Sequence, residues 1–197
     1  MTEEEVNAKF LEMNKDLFNN KLNIDLDRYC ERLIEIFNNI ITAYQKDMSL
    51  RIYEISFDAE SILSREDIDN KLKNVFGKII EYIKVTVNKN KEFLITDLNN
   101  KDMDKYNSDI DLYGNELIKG ISELYLKEIT VLLKDLYRYM DSYSNARLDK
   151  IIKEIIYNHF IEKSKDTVQS SNTLLKNNIY NNTTYLENMN KSTVKQH

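Results

Sequence analysis

A chain of 197 residues with no proline and only three glycines lacks most of the residues that end helices, tighten turns and interrupt strands. Few breaks mean few connections, and few connections mean long elements. The apolar residues agree, because they recur at steps of three and four along most of the chain, the repeat of one helical face.

Thr2-Glu3-Glu4-Glu5 has capping-box spacing, and Val6, Phe10, Met13 and Leu17 follow on one face. This predicts a first helix over 2–19, fading at Asn19-Asn20. Asn23 or Asp25 then caps a second helix, 26–63, whose seam runs from Leu26 through Leu33, Phe37, Ile40, Met48 and Ile52 to Ile62 without a slip in period. Ser64, with Glu66 and Asp67 in the first turn, restarts a third helix over 65–98, stopping at Asn99-Asn100. A fourth helix spans 105–143 and carries Gly114 and Gly120, which either weaken it or let a neighbour approach closely. A fifth, 146–165, holds Leu148, Ile152, Ile155, His159 and Phe160.

The expected fold is therefore all-α: an elongated antiparallel helical bundle of three long helices plus two shorter ones stacked end to end in a fourth position. The bundle covers 1–165. Residues 166–197 are rich in Asn, Ser and Thr, with only a faint period in Val168, Leu175, Ile179 and Leu186. They read as a polar tail, a frayed helix or disordered.

The same residues exclude much chemistry. Cys30 alone allows no intrachain disulfide and no multi-cysteine zinc site, and it reads as a buried, inert thiol. The two histidines, His159 and His197, lack the Glu-x-x-His pairing of di-iron bundles and the spacing of zinc proteases. Three scattered glycines build no phosphate loop. No catalytic residue, cofactor or metal ligand is expected, and His159 reads as a core or boundary histidine. A net charge of −5 argues against a nucleic-acid partner, since Glu81 and Glu92 dilute the group Lys84, Lys89 and Lys91. No apolar run approaches the roughly 18 residues of a membrane span, and the acidic start is unlike a secretory signal, so the cytoplasm is the expected location.

Two features bear on partners. Asn90 lies between Val87 and Leu94, where it either fixes register as a buried seam amide or, with a small rotation, reaches solvent. Tyr137, Tyr139 and Tyr143 cluster beside Arg138, residue types that anchor interfaces but also rim bundle cores. Tyr137-x-x-x-Asp141 resembles an export signal of the helical-hairpin proteins exported by Gram-positive bacteria, whose Trp-x-Gly turn a chain without tryptophan lacks. The expected function is a non-enzymatic interaction or assembly module acting through coiled-coil-like helix faces, on a protein partner or on itself. The alternatives are a membrane-surface or exported bundle, and a ligand-binding or enzymatic bundle with a site near His159.

Overall fold

The structure, a computed structural model, describes residues 1–97 and 103–195. All regular structure among them is helical and forms four rods. These are α1 (Glu3–Asp58), α2 (Arg65–Asp97), α3 (Met103–Leu136) and a composite fourth rod. The fourth runs from α4 (Ser142–Asp149) through a π-helical stretch (Lys150–Ile156) into α5 (Tyr157–Lys195). Each rod packs on the next, and α5 closes the ring on α1. All four contacts are antiparallel. Lys91 reaches Asp27 and Ser49 reaches Asp69 between α1 and α2, whereas Lys78 meets Glu128 at 3.0 Å between α2 and α3. Between α3 and α5, Lys176 pairs with Asp111 and Ser122 with Tyr157.

The expected division into three long and two short helices is corrected at both ends of the chain. Helices 2–19 and 26–63 are one helix of 56 residues, about 84 Å long. Asn19 and Asn20 each cost the helix a few tenths of a kcal/mol in propensity. Burying Leu22 and Leu26, both almost wholly inaccessible, returns about 1.5–3 kcal/mol apiece and carries the helix through. The capping box at Thr2 forms as expected: Thr2 Oγ1 accepts from Glu5 N–H at 3.2 Å, and Glu5 accepts from Thr2 N–H at 2.9 Å.

At its far end α1 stops at Asp58, five residues before the expected end. Glu60 has φ 54°, Ser61 N–H donates to Ser56 C=O at 2.9 Å, and Glu60 N–H donates to Phe57 C=O at 3.0 Å. Those are the two hydrogen bonds of a Schellman stop, with glutamate in the left-handed position that glycine usually takes. Ser64 then caps α2 as expected, accepting from Asp67 N–H at 3.1 Å. The expected stop at Asn99-Asn100 lies outside the described residues.

Helix 105–143 is also shorter than expected. It becomes a 3-10 turn at Tyr137–Tyr139 and breaks at Met140, whose backbone is extended; Asp141 caps α4, its carboxylate accepting from Ser144 N–H at 2.8 Å. The largest correction concerns 166–195, which continues α5 as helix and buries Val168, Asn172, Leu175, Ile179 and Asn182. This segment, not a stack of two short helices, completes the fourth position.

The π-helical stretch sets the phase of that rod. Leu148, Ile152, Ile156 and Phe160 are all buried at steps of four across this stretch, whereas a straight α-helix would drift about 40° at each such step. The wider π turn absorbs the drift. Phe160 therefore points inward and His159 is exposed, correcting the expectation of a core or boundary histidine. Tyr125 O–H, from α3, donates to the Ile152 carbonyl of the π stretch at 3.0 Å. Around it, Tyr44, Phe76, Tyr125 and Phe160 form one aromatic layer with a ring from every rod, centroids 5.5–6.5 Å apart. Cys30 is buried on α1, and burial pushes its thiol up to about 12, so it is protonated and unreactive at neutral pH.

Candidate functional site

Side-chain amides bond across the α1–α5 seam and fix the offset of the two rods. Asn172 sits at a junction of three helices. Its carbonyl oxygen accepts from Tyr29 O–H of α1, and its amide nitrogen donates to Ile110 C=O of α3 at 3.4 Å. Room for it is made by Gly114, where a Cβ would stand 2.6 Å from that nitrogen and 2.8 Å from Val168 Cγ1. Burial is the main cause of a raised Tyr29 pKa, so the phenol remains a donor at neutral pH. Further along, Asn182 Nδ2 donates to Asp25 at 2.6 Å, and Asn14 Nδ2 donates to Asn190 Oδ1 at 3.1 Å. A one-turn slip of α5 on α1 would break every one of these bonds.

Beyond the level of Asp97 and Met103, α1 and α5 continue as a pair. Leu22, Leu26, Leu94, Tyr106, Ile110, Leu175 and Ile179 form a second apolar cluster where the bundle opens. Above it lies a groove of about 450 Å³ walled by Leu11, Phe18, Met103, Tyr106 and Leu186. The Tyr106 hydroxyl is buried there without a hydrogen-bond partner among the described residues. At the groove's rim the Asp97 carboxyl titrates above its ordinary range, chiefly through burial and then through its hydrogen bond with Asp109.

The first turns of α1 carry apolar residues on two faces. The inner face, Leu11, Asn14, Phe18 and Leu22, turns toward α5 and the groove. The outer face is the stripe Val6, Phe10, Met13, Leu17, with Ile24 a heptad beyond Leu17. Phe10 is 43% exposed, Met13 58%, Leu17 60% and Ile24 50%. On periodicity alone this stripe reads as a core seam. In the folded chain the inner set takes that place, while Met13 and Leu17 remain more than half exposed.

The residues singled out from the sequence do not converge. Asn90 is half-buried on α2, beside Tyr29 and Gly114, around a cavity of about 10 Å³. Tyr137 is turned inward at the opposite end of the bundle. Its hydroxyl donates to Asp149, its carbonyl accepts from Asn145 Nδ2 at 3.3 Å, and burial followed by the Asp149 contact raises its pKa. Arg138, Tyr139 and Tyr143 are exposed; the Arg147 guanidinium lies over the Tyr143 ring at 6.0 Å. The seam amides Asn14, Asn172 and Asn182 were not anticipated, yet a signal existed. Counting asparagine as a seam residue turns the faint period of the last segment into Val168, Asn172, Leu175, Ile179, Asn182, Leu186, an unbroken alternation of four and three.

Among the described residues no three His, Cys, Asp or Glu side chains gather as metal ligands would, and no helix is long and apolar enough to cross a membrane. No protein-family model, curated protein or solved structure matches the chain.

Proposed function

We propose that this protein is a non-enzymatic assembly module of the cytoplasm that joins a protein partner through a coiled-coil-like helix face at the open end of the bundle. One observation carries the reading. The first turns of α1 are apolar on two faces, and on the outer one Met13 and Leu17 are more than half exposed. An exposed row of apolar side chains at alternating steps of three and four is the pattern by which one helix docks on another. The flanking charges Lys9, Glu12, Lys15 and Asp16 are of both signs, which suits a protein surface better than an anionic membrane.

The rigid scaffold supports the same reading. Amide locks on the α1–α5 seam hold the stripe in a fixed position relative to the four-rod body, so docking there sets a partner's orientation as well as its presence. The test compares affinity capture from lysate by the native chain and by a Met13→Lys/Leu17→Lys variant, quantified by mass spectrometry. Both positions are exposed, so the variant should keep its helicity and melting midpoint. Proteins retained by the native chain and lost with the variant are the expected result. Identical captured sets from two folded proteins would remove the stripe from the function.

A further inference from the structure

We infer that the cleft between α3 and α5 binds an organic phosphate monoester, its anionic group held by Lys119 and Lys165 and its apolar body laid on Ile118, Ile161 and Val168. The cleft measures about 790 Å³, within the size range of small-molecule sites, and shares no residue with the α1 docking face. α3 supplies Lys119 and Ser122 to one wall, and α5 supplies Tyr157, Lys165 and Lys176 to the other. Two hydrogen bonds tie the walls together, Asn172 Nδ2 to Ile110 C=O at 3.4 Å and Ser122 with Tyr157. Lys119 and Lys165 lie on the stretches of α3 and α5 between those two ties.

Charge sets this cleft apart. At other helix contacts lysines are matched by a carboxylate of the neighbouring helix, Lys71 by Asp135, Lys78 by Glu128 and Lys91 by Asp27. In the cleft only Lys176 is matched, by Asp111, the one carboxylate among the described lining residues. Lys119 and Lys165 come from facing helices and have no ion pair, so two like charges line one cleft without a counter-ion from the chain. A phosphate monoester carries about 1.5–2 negative charges at neutral pH and answers both, whereas a single carboxylate answers one. Ser122 and Tyr157 add a donor. Whichever hydroxyl donates in their mutual hydrogen bond, the other keeps its hydrogen for a phosphoryl oxygen. The base of the cleft is apolar, formed by Ile118, Ile161 and Val168, so an ester with an apolar body fits it better than a bare ion.

Isothermal titration of the full chain with naphthyl phosphate, inorganic phosphate and naphthol, at low and at high salt, tests the site. Naphthyl phosphate should bind most tightly of the three, and more weakly as salt rises. Lys119→Met and Lys165→Met should each weaken it about fivefold, and together about twentyfold, the scale of exposed ion pairs. Asp111→Asn frees Lys176 for the ligand and should tighten binding instead. All three positions are exposed, so the melting midpoints should stay within a few degrees of the native value. A control variant, Lys127→Met/Lys163→Met, removes two exposed lysines from outside the cleft and has the same net charge as Lys119→Met/Lys165→Met. Its affinity should match that of the native chain.

Vesicles containing phosphatidic acid, itself a phosphate monoester, identify the source of the ligand. Flotation with them that is lost in Lys119→Met/Lys165→Met assigns the cleft to a lipid headgroup, and binding of naphthyl phosphate without flotation assigns it to a soluble ester. An equal loss of affinity in the control variant reduces the binding to net charge and overturns the inference. So does inorganic phosphate that binds as tightly as naphthyl phosphate, and so does a native chain that binds none of the probes with a Kd below about 5 mM.

Discussion

Alanine at Gly77 places a methyl group where no atom lies within 4 Å, on an exposed face of α2. The helix then gains the propensity difference between glycine and alanine, about 1 kcal/mol, with nothing to oppose it. At Gly114 the same gain is available, but the new Cβ would stand 2.6 Å from Asn172 Nδ2 and 2.8 Å from Val168 Cγ1. Asn172 is 5% exposed and is held on both sides, by the Tyr29 hydroxyl and the Ile110 carbonyl. Leaving buried polar groups unsatisfied costs about 1–3 kcal/mol each, so with both bonds lost and the propensity gain of about 1 kcal/mol subtracted, the net effect of Gly114→Ala is destabilisation by about 1–5 kcal/mol. For a chain of this length a kcal/mol moves the midpoint by about 2–4 °C. Thermal melts followed by circular dichroism should therefore rise for Gly77→Ala and fall for Gly114→Ala. Asn172→Ala should remove part of the second penalty, so that the double variant loses less than the two single losses combined. Equal stabilisation by both glycine replacements would refute the three-helix junction at Asn172.

Three further outcomes follow from the caps and the closing rod. Glu60→Gly puts the residue that prefers φ > 0 into the Schellman position and should raise the midpoint, by an amount equivalent to up to about 1 kcal/mol, in a denaturant or thermal melt. The carboxyl of Asp141 is held below its ordinary range, first by the backbone N–H of Ser144. A depressed folded pKa contributes stability above the unfolded value and loses it as pH falls through the folded one, so the midpoint gap between native and Asp141→Ala proteins should be full at pH 7 and close in strong acid. Truncation after Lys165 removes the buried Val168, Leu175 and Ile179, together worth about 5–9 kcal/mol of burial, and should abolish a single cooperative melt. Retention of that melt would mean α5 is not needed past that point.

The helical class, the α2 start at Ser64 and the capping box at Thr2 were readable because each depends on a few adjacent residues. What escaped depended on partners distant in the chain. Asn19 and Asn20 look like a helix end until Leu22 and Leu26 are known to be buried. Glu60 gives no stop signal, because the left-handed position it occupies is recognised in sequence by glycine. Phe160 rather than His159 faces the core because the π turn at Lys150–Ile156 shifts the phase, and periodicity counted at 3.6 residues per turn passes over such a shift. The asparagines of 166–195 read as a disordered composition, yet Asn172, Asn182 and Asn190 each find their partner on α1, 143 to 176 residues away. The outer stripe of α1 was legible as an apolar face but not as an accessible one, since Leu11, Phe18 and Leu22 compete with it for the inner side of the same turns.

The seam that joins α1 to α5 also orders events in time. Contacts between α1 and α2, and between α2 and α3, link neighbours in the chain and can form while translation proceeds. The amide locks cannot, because they couple Asn14 and Tyr29 to residues made 143 to 179 positions later. Until α5 has left the ribosome, Leu22, Leu26 and the aromatic layer have no cover on that side, and the nascent three-rod intermediate leaves the inner apolar face of α1 open. Bundle closure is thus the highest-contact-order step of folding and is expected to be its slow one. In the crowded vicinity of a polysome, a chain waiting in that state can borrow α5 from a neighbour before its own arrives.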